Sequence, residues 1–229
     1  MDNRVIVNDK HLEELRFWQH ALLLNTSIPA IVDEFDLGTQ RVSATPAIKA
    51  RYIDPDLTIK YVDYPKITNI PLAIQSGNGI SITYPIKKGD LCTLIFSQRS
   101  IDNLLLDGTK TAEPFVGSDS PTTYLRCMDL TDAMCFPGII TNSNPIDSYN
   151  NDAVEIRNSD ASVKITVAQN GLTLKQDGAT LKLNGGDVEI EATNIKLTGT
   201  TVMINNKNFD THVHSGVESG TSNTGIVVA

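Results

Sequence analysis

The sequence predicts an all-β chain in two parts, a small barrel followed by a repetitive shaft. Three observations carry this. Short alternating apolar segments, bounded by Gly, Asn, Asp and Pro, run through most of the 229 residues. The single Trp, all six Tyr and five of the six Phe precede Asn150, so a conventional core belongs to the first two-thirds. From Ala153 to Asn206 apolar pairs recur at fixed intervals, which is an internal repeat.

Charge and cysteine usage narrow the function classes. Residues 1–152 carry 13 Lys/Arg against 19 Asp/Glu, net −6, while residues 153–208 carry six of each. That balance argues against a phosphate backbone as partner, and with no basic groove of interleaved aromatics it disfavours an oligonucleotide-binding protein. The start, Met1-Asp2-Asn3-Arg4, is polar, and no apolar run approaches the roughly 18 residues of a membrane span. The expectation is a chain made in the cytoplasm that stays soluble. Cys92, Cys127 and Cys135 are odd in number and lack metal-type spacing, so they are expected as buried free thiols.

The first element is a helix from about Lys10 to Leu24, capped by Asn8-Asp9, in which Leu12, Leu15, Trp18 and Leu22 recur at helical spacing and Asn25 is a stop. His11 and His20 lie on this arm without other ligands and are expected to be exposed or packed rather than functional. Strands of ordinary length follow at Ile28–Phe35, Gln40–Ala47, Thr58–Tyr64, Gly79–Thr83, Asp90–Ser97 and Gly138–Thr141. Five or six strands with one helix in about 120 residues fit a small barrel of OB type. Asp33, Glu34 and Asp36 are adjacent carboxylates, yet no His or distant second group completes a catalytic set, so they read as a solvated strand end. No phosphate loop, serine elbow or zinc-protease helix is present, and no enzyme is expected.

Several runs along this barrel carry a resemblance. They are Ile28-Pro29-Ala30-Ile31-Val32-Asp33-Glu34-Phe35-Asp36, Arg41-Val42-Ser43-Ala44-Thr45-Pro46-Ala47-Ile48, and Thr83-Tyr84-Pro85-Ile86-Lys87-Lys88-Gly89-Asp90. Phe96-Ser97-Gln98-Arg99-Ser100-Ile101-Asp102, and Asp132-Ala133-Met134 before Phe136-Pro137-Gly138, complete the set. In this order, over roughly residues 28–145, they resemble the N-terminal OB-like domain of the central spike proteins, the membrane-piercing proteins at the baseplate tip of contractile-tailed bacteriophages. The resemblance implies a barrel that docks to the baseplate hub protein and a homotrimeric β-helix beyond it. Some relatives carry a peptidoglycan hydrolase between the two, but the turn-rich connector between Asn142 and Asp152 leaves no room for one.

The shaft pairs are Val154/Ile156, Val163/Ile165, Leu172/Leu174, Leu181/Leu183, Val188/Ile190, Ile195/Leu197 and Val202/Ile204. Each alternates apolar and polar, as a strand with one buried face does, and Asn170-Gly171, Asp177-Gly178, Asn184-Gly185-Gly186, Asn194 and Gly199 supply corners. One chain cannot enclose a solenoid core from such short units. Three chains about one axis can, as a three-sided prism on the order of 34 Å long with strands stacked at about 4.8 Å. The alternative is an ordinary antiparallel meander packed on the barrel. No aromatic residue occurs between Ala153 and Asn208, which suits a narrow interior.

Beyond Ile204 the chain reads Asn205-Asn206-Lys207-Asn208-Phe209-Asp210-Thr211-His212-Val213-His214. In extended backbone i and i+2 share a side, so His212 and His214 of three chains would offer six nitrogens. Six imidazoles make an octahedral site that suits Fe(II) or Ni(II) better than zinc, and the resemblance implies an axial iron here. Taken alone, an H-x-H pair reads as merely exposed; a threefold axis, which multiplies two ligands to six, is what favours the metal. The Gly/Ser/Thr/Asn stretch from Ser215 to Gly225 can form a tight apex or a flexible tail.

The resulting organisation is an arm at 1–26, an OB-like barrel at 27–145, an intertwined homotrimeric triple-stranded β-helix at 146–206 and an iron-bound tip at 207–229. The expected function is a non-enzymatic spike at the tail tip of a virion, driven through the host outer membrane. The alternative is a tail module that binds a surface polysaccharide.

Overall fold

A computed structural model describes residues 13–14, 16–17, 21, 24–53, 58–108, 111 and 126–208. The chain divides into two compact units, Met1–Asn144 and Pro145–Ala229. Of the N-terminal arm, Glu13, Glu14, Arg16, Phe17 and Ala21 are helical, while Leu24 and Asn25 are not. The Asn25 side-chain amide donates to the Met128 carbonyl at 2.9 Å, tying the end of the arm to a loop of the first unit. His11, His20 and Trp18 lie outside the described residues.

The first unit holds β1 (Ser27–Asp36), β2 (Arg41–Pro46), β3 (Ala50–Ile53), β4 (Ile59–Val62), β5 (Ile67–Pro71), β6 (Ser76–Gly77), β7 (Ile80–Ser81), β8 (Leu91–Phe96) and β9 (Ala133–Pro137). A short helix, Asp102–Asp107, and a 3-10 turn, Leu130–Asp132, stand between β8 and β9. Five strands form one antiparallel sheet in the order β5-β2-β1-β8-β9, a half-barrel. Its two edges meet at a single parallel bridge, Leu72 to Cys135, where the Ala73 N–H donates to the Cys135 carbonyl at 2.8 Å. β3 with β4, and β6 with β7, form separate two-stranded hairpins.

The core follows from alternation. Ala30 and Val32 of β1, Val42 and Ala44 of β2, Cys92, Leu94 and Phe96 of β8, and Ala133 and Cys135 of β9 all face inward and are buried. Two bulges adjust the pattern. In β1, Val32 and Glu34 sit opposite Ala44 and Ser43, so Asp33 is the extra residue. In β5, Ile67 and Ile70 are three apart yet both buried, because Asn69 takes a left-handed φ of 60° and inserts one residue between their partners Ala44 and Val42.

Three expectations for this unit are corrected. The last strand is Ala133–Pro137, not Gly138–Thr141: Gly138 turns left-handed at φ 95°, and Ile140 beyond it is exposed. The expected strand at Gly79–Thr83 shrinks to Ile80–Ser81, a stub on a tight turn. Cys127 is exposed, while Cys92 and Cys135 are buried. Those two thiols touch across adjacent strands; the hydrogen bond to Cys92, together with burial, pushes the Cys135 thiol up.

The second unit holds β10 (Val154–Arg157), β11 (Val163–Ala168), β12 (Gly171–Gln176), β13 (Ala179–Asn184) and β14 (Asp187–Glu191), an antiparallel meander in chain order. A small hairpin, β15 (Met203–Ile204) with β16 (Lys207–Asn208), turns on Asn205 and Asn206, both left-handed as a type I′ turn requires. Two expectations change here. The corners at 169–170, 177–178 and 185–186 are two-residue hairpin turns, so successive strands pair within the chain. Ile195, Leu197 and Val202 lie in 192–202, where no strand forms. Among the described residues no helix is long and apolar enough to cross a membrane.

Candidate functional site

The register of the meander sorts its side chains by face. Ile156, Ile165, Leu174, Leu181 and Ile190 stand directly opposite one another from strand to strand and form one continuous column. Val154, Val167, Leu172, Leu183 and Val188 form a second, parallel to it. The other face carries Glu155, Thr166, Thr173, Lys182 and Glu189 in one column and Arg157, Lys164, Lys175, Thr180 and Glu191 in the next. A one-residue slip at any turn would mix the two sets, so the register is strongly specified.

Among the described residues nothing covers the aliphatic face. Ile156 is 63% exposed and Val188 65%, and even Leu174 on the central strand is 39% exposed. Five strands at about 4.8 Å and five or six residues of strand width give this face an outline of roughly 400 Å². A contiguous apolar patch of that size marks an interaction surface.

The base of the meander is anchored by polar contacts. The Arg157 guanidinium donates to the carbonyls of Asp147 at 2.7 Å, Ser148 at 3.0 Å and Ser159 at 3.1 Å, and pairs with Glu155 at 3.5 Å. Glu155 also accepts from Lys164 at 2.8 Å and from Asn150 and Thr166 at 3.2 Å each. Lys164, then Asn150, hold its carboxyl down to about 2. The segment before β10 is therefore fastened to the first strand of the meander.

A second ionic cluster lies in the first unit. Asp132, fully buried, accepts from the Ile101 N–H at 3.1 Å and from Arg126 Nε at 3.1 Å and Nη2, while Arg126 Nη1 pairs with Asp102 at 2.6 Å. Each partner is satisfied by another, so the cluster reads as a latch on the Asp102–Asp107 helix. The carboxylates singled out by sequence are structural too. Asp33 accepts from Thr45 Oγ1 at 2.7 Å. Asp36 caps its turn by accepting from Thr39 Oγ1 at 2.7 Å and the Gly38 N–H at 2.8 Å, and these bonds lower its carboxyl. Among the described residues no His or Cys hydrogen-bonds to either carboxylate.

His212 and His214 lie outside the described residues. Among the described residues no group of three or more His, Cys, Asp or Glu is placed to hold a metal ion. The aliphatic columns were legible in the sequence, whereas the Asp132–Arg126 latch was not, since its other members, the Ile101 N–H and Asp102, come from distant positions.

No curated protein matches the chain. Residues 28–138, nearly the whole half-barrel from β1 to β9, match the family model of the phage protein Gp138 N-terminal domain. That match covers just under half of the chain, and it supports a phage structural protein.

Proposed function

We propose that this chain is the envelope-puncturing spike at the tip of a contractile phage tail, a structural part and not an enzyme. The observation that supports it best is the aliphatic face of β10–β14, two unbroken columns with no cover among the described residues. In this reading two further copies close it, forming a homotrimeric β-helical shaft about a threefold axis. Such a shaft carries load along its axis, because each wall is hydrogen-bonded throughout and the three cannot separate without exposing the whole core.

The strand order β5-β2-β1-β8-β9 and the parallel Leu72–Cys135 bridge support an OB-like barrel, here the part that docks to the baseplate hub. Ile59 and Tyr61 on one face of the β3–β4 hairpin, and Tyr52 and Val62 on the other, are exposed and available to that partner. At the far end, His212 and His214 of three chains would hold one iron ion, which when bound supplies a fixed link among the chain ends. The host outer membrane is pierced by this tip, not spanned by a helix.

The test is placement and necessity. Antibody against the shaft should label the distal end of the phage tail, and virions lacking the chain should fail to infect. Label on the capsid or on fibres, or full infectivity without the chain, would overturn the reading.

A further inference from the structure

In an antiparallel sheet with one face on the core and one in water, strands alternate apolar and polar residues. β2 obeys this: Val42 and Ala44 are buried, while Arg41, Ser43 and Thr45 lie on the outer side. β8 does not. It reads Leu91-Cys92-Thr93-Leu94-Ile95-Phe96, apolar everywhere but Thr93, with Cys92, Leu94 and Phe96 inside. Its outward residues fall into rows with those of β1 and β9: Ile31 beside Leu91, Thr93 beside Phe136, and Ile95 beside Met134. Ile31 is 41% exposed, Ile95 37% and Phe136 40%, as open as Leu174 on the aliphatic face of the meander. Strands that are apolar on both faces belong beneath a second layer.

The chain carries a layer of matching size, and it leaves from a corner of this face. The Thr26 carbonyl accepts from the Phe96 N–H at 3.1 Å, Ser27 stands opposite Ile95, and the Asn25 amide is held by the Met128 carbonyl. In the N-terminal arm Leu12, Leu15, Trp18 and Leu22 make one apolar stripe, while the described residues off that stripe, Glu13, Glu14, Arg16 and Phe17, are exposed. From Leu12 to Leu22 is about 15 Å of helix at 1.5 Å per residue. From Ser27 to Ile31 along β1 is about 14 Å, and the three strands span about 10 Å, close to the diameter of a helix. The link from Leu24 to Ser27 reaches about 10 Å, the spacing of packed layers, which suits a fold back onto the same barrel.

We propose that the outer face of β1, β8 and β9 is the seat of this chain's own residues 10–24, which lie across it as a helix with the stripe from Leu12 to Leu22 turned toward Ile31, Thr93, Ile95 and Phe136. The short tether keeps the arm at high local concentration, so a face this small is enough to hold it. The seating is intramolecular and does not depend on the trimer.

Trp18 is the chain's single tryptophan and reports the seating directly. In the full chain its emission should be blue-shifted and shielded from acrylamide. Ile95→Glu on the face and Leu15→Glu on the arm, the second leaving the barrel sequence untouched, should each shift the emission to the red and raise quenching to that of the chain in denaturant, with the far-UV signature of strands retained. Native emission as open as in denaturant, or no change in either variant, would overturn the seat. A thiol pair identifies whose face is used. With Cys127→Ser, since Cys127 is the exposed native thiol, Gln19→Cys and Thr93→Cys treated with a short bis-maleimide should give a boiled product of one chain, 24.9 kDa plus a single linker, with both thiols consumed. Products of two or three chains would overturn the proposal in favour of a neighbouring copy's face. Two separately capped thiols with a shielded Trp18 would overturn it in favour of another surface, the cleft lined by Asn25, Leu105 and Leu130 among them.

Discussion

Asp132 is the residue whose loss the fold should feel most. It is fully buried between the Ile101 N–H and Arg126, so Asp132→Ala leaves that amide without its acceptor while Arg126 keeps Asp102. A buried donor left unpaired costs about 1–3 kcal/mol. Denaturant unfolding of the first unit should show that loss with an unchanged m-value. Gly171 tests the shaft at the same scale. Gly171→Ala meets the Leu183 carbonyl at 2.6 Å and should lower the thermal midpoint, whereas Gly178→Ala, with open space around its Cβ, should be near neutral. Equal effects at the two glycines would contradict the β12–β13 pairing. The sequence marks Gly171 only as part of a corner and gives Asp132 no buried role, because the partners that make them critical, Arg126 apart, come from distant strands or backbone. The bulge at Asp33 is hidden for the same reason: three neighbouring carboxylates read as a solvated strand end until Thr45 is seen across the ladder.

At the scale of the element, the segment leading into β10 should be pH-sensitive with a defined sign. Lys164, Asn150 and Thr166 hold the folded Glu155 carboxyl at about 2, below its unfolded value of about 4.3. A depressed carboxylate contributes stability that is complete above the unfolded value and is lost as pH falls toward the folded one. Stability of the second unit should therefore be level above about pH 5 and fall between roughly pH 4.5 and 2. Glu155→Gln should flatten that fall; an unaltered profile would discount the Lys164 pairing. Ile190→Asp sets a charge in an aliphatic column and should cost several kcal/mol once that column is enclosed. Both columns were readable as period-two alternation, and so was their spacing. What the spacing did not separate is a corner from a hairpin. Asp177-Gly178 and Asn184-Gly185-Gly186 serve either, and the choice depends on which strand lies alongside. Ala133–Pro137 was hidden differently: Cys135 reads as a thiol to be classified, while Ile139-Ile140-Thr141 looks more strand-like and is cut off by the left-handed Gly138.

For the whole molecule two stoichiometries are expected. If His212 and His214 close a tip site, elemental analysis should find one iron per three chains, lost as pH drops below the histidine range near 6.5 and protons take the nitrogens. Changing both to Ala should abolish the metal and spare the trimer, since the columns from Val154 to Val188 and Ile156 to Ile190 do not depend on it. One metal per chain would contradict a shared site. The claim beneath this is that two further copies cover the aliphatic face, and the mass of the full chain in solution tests it most directly. Light scattering at micromolar concentration should give three times the 24.9 kDa chain mass, with or without chelator, and a single-chain mass would contradict the account at its base.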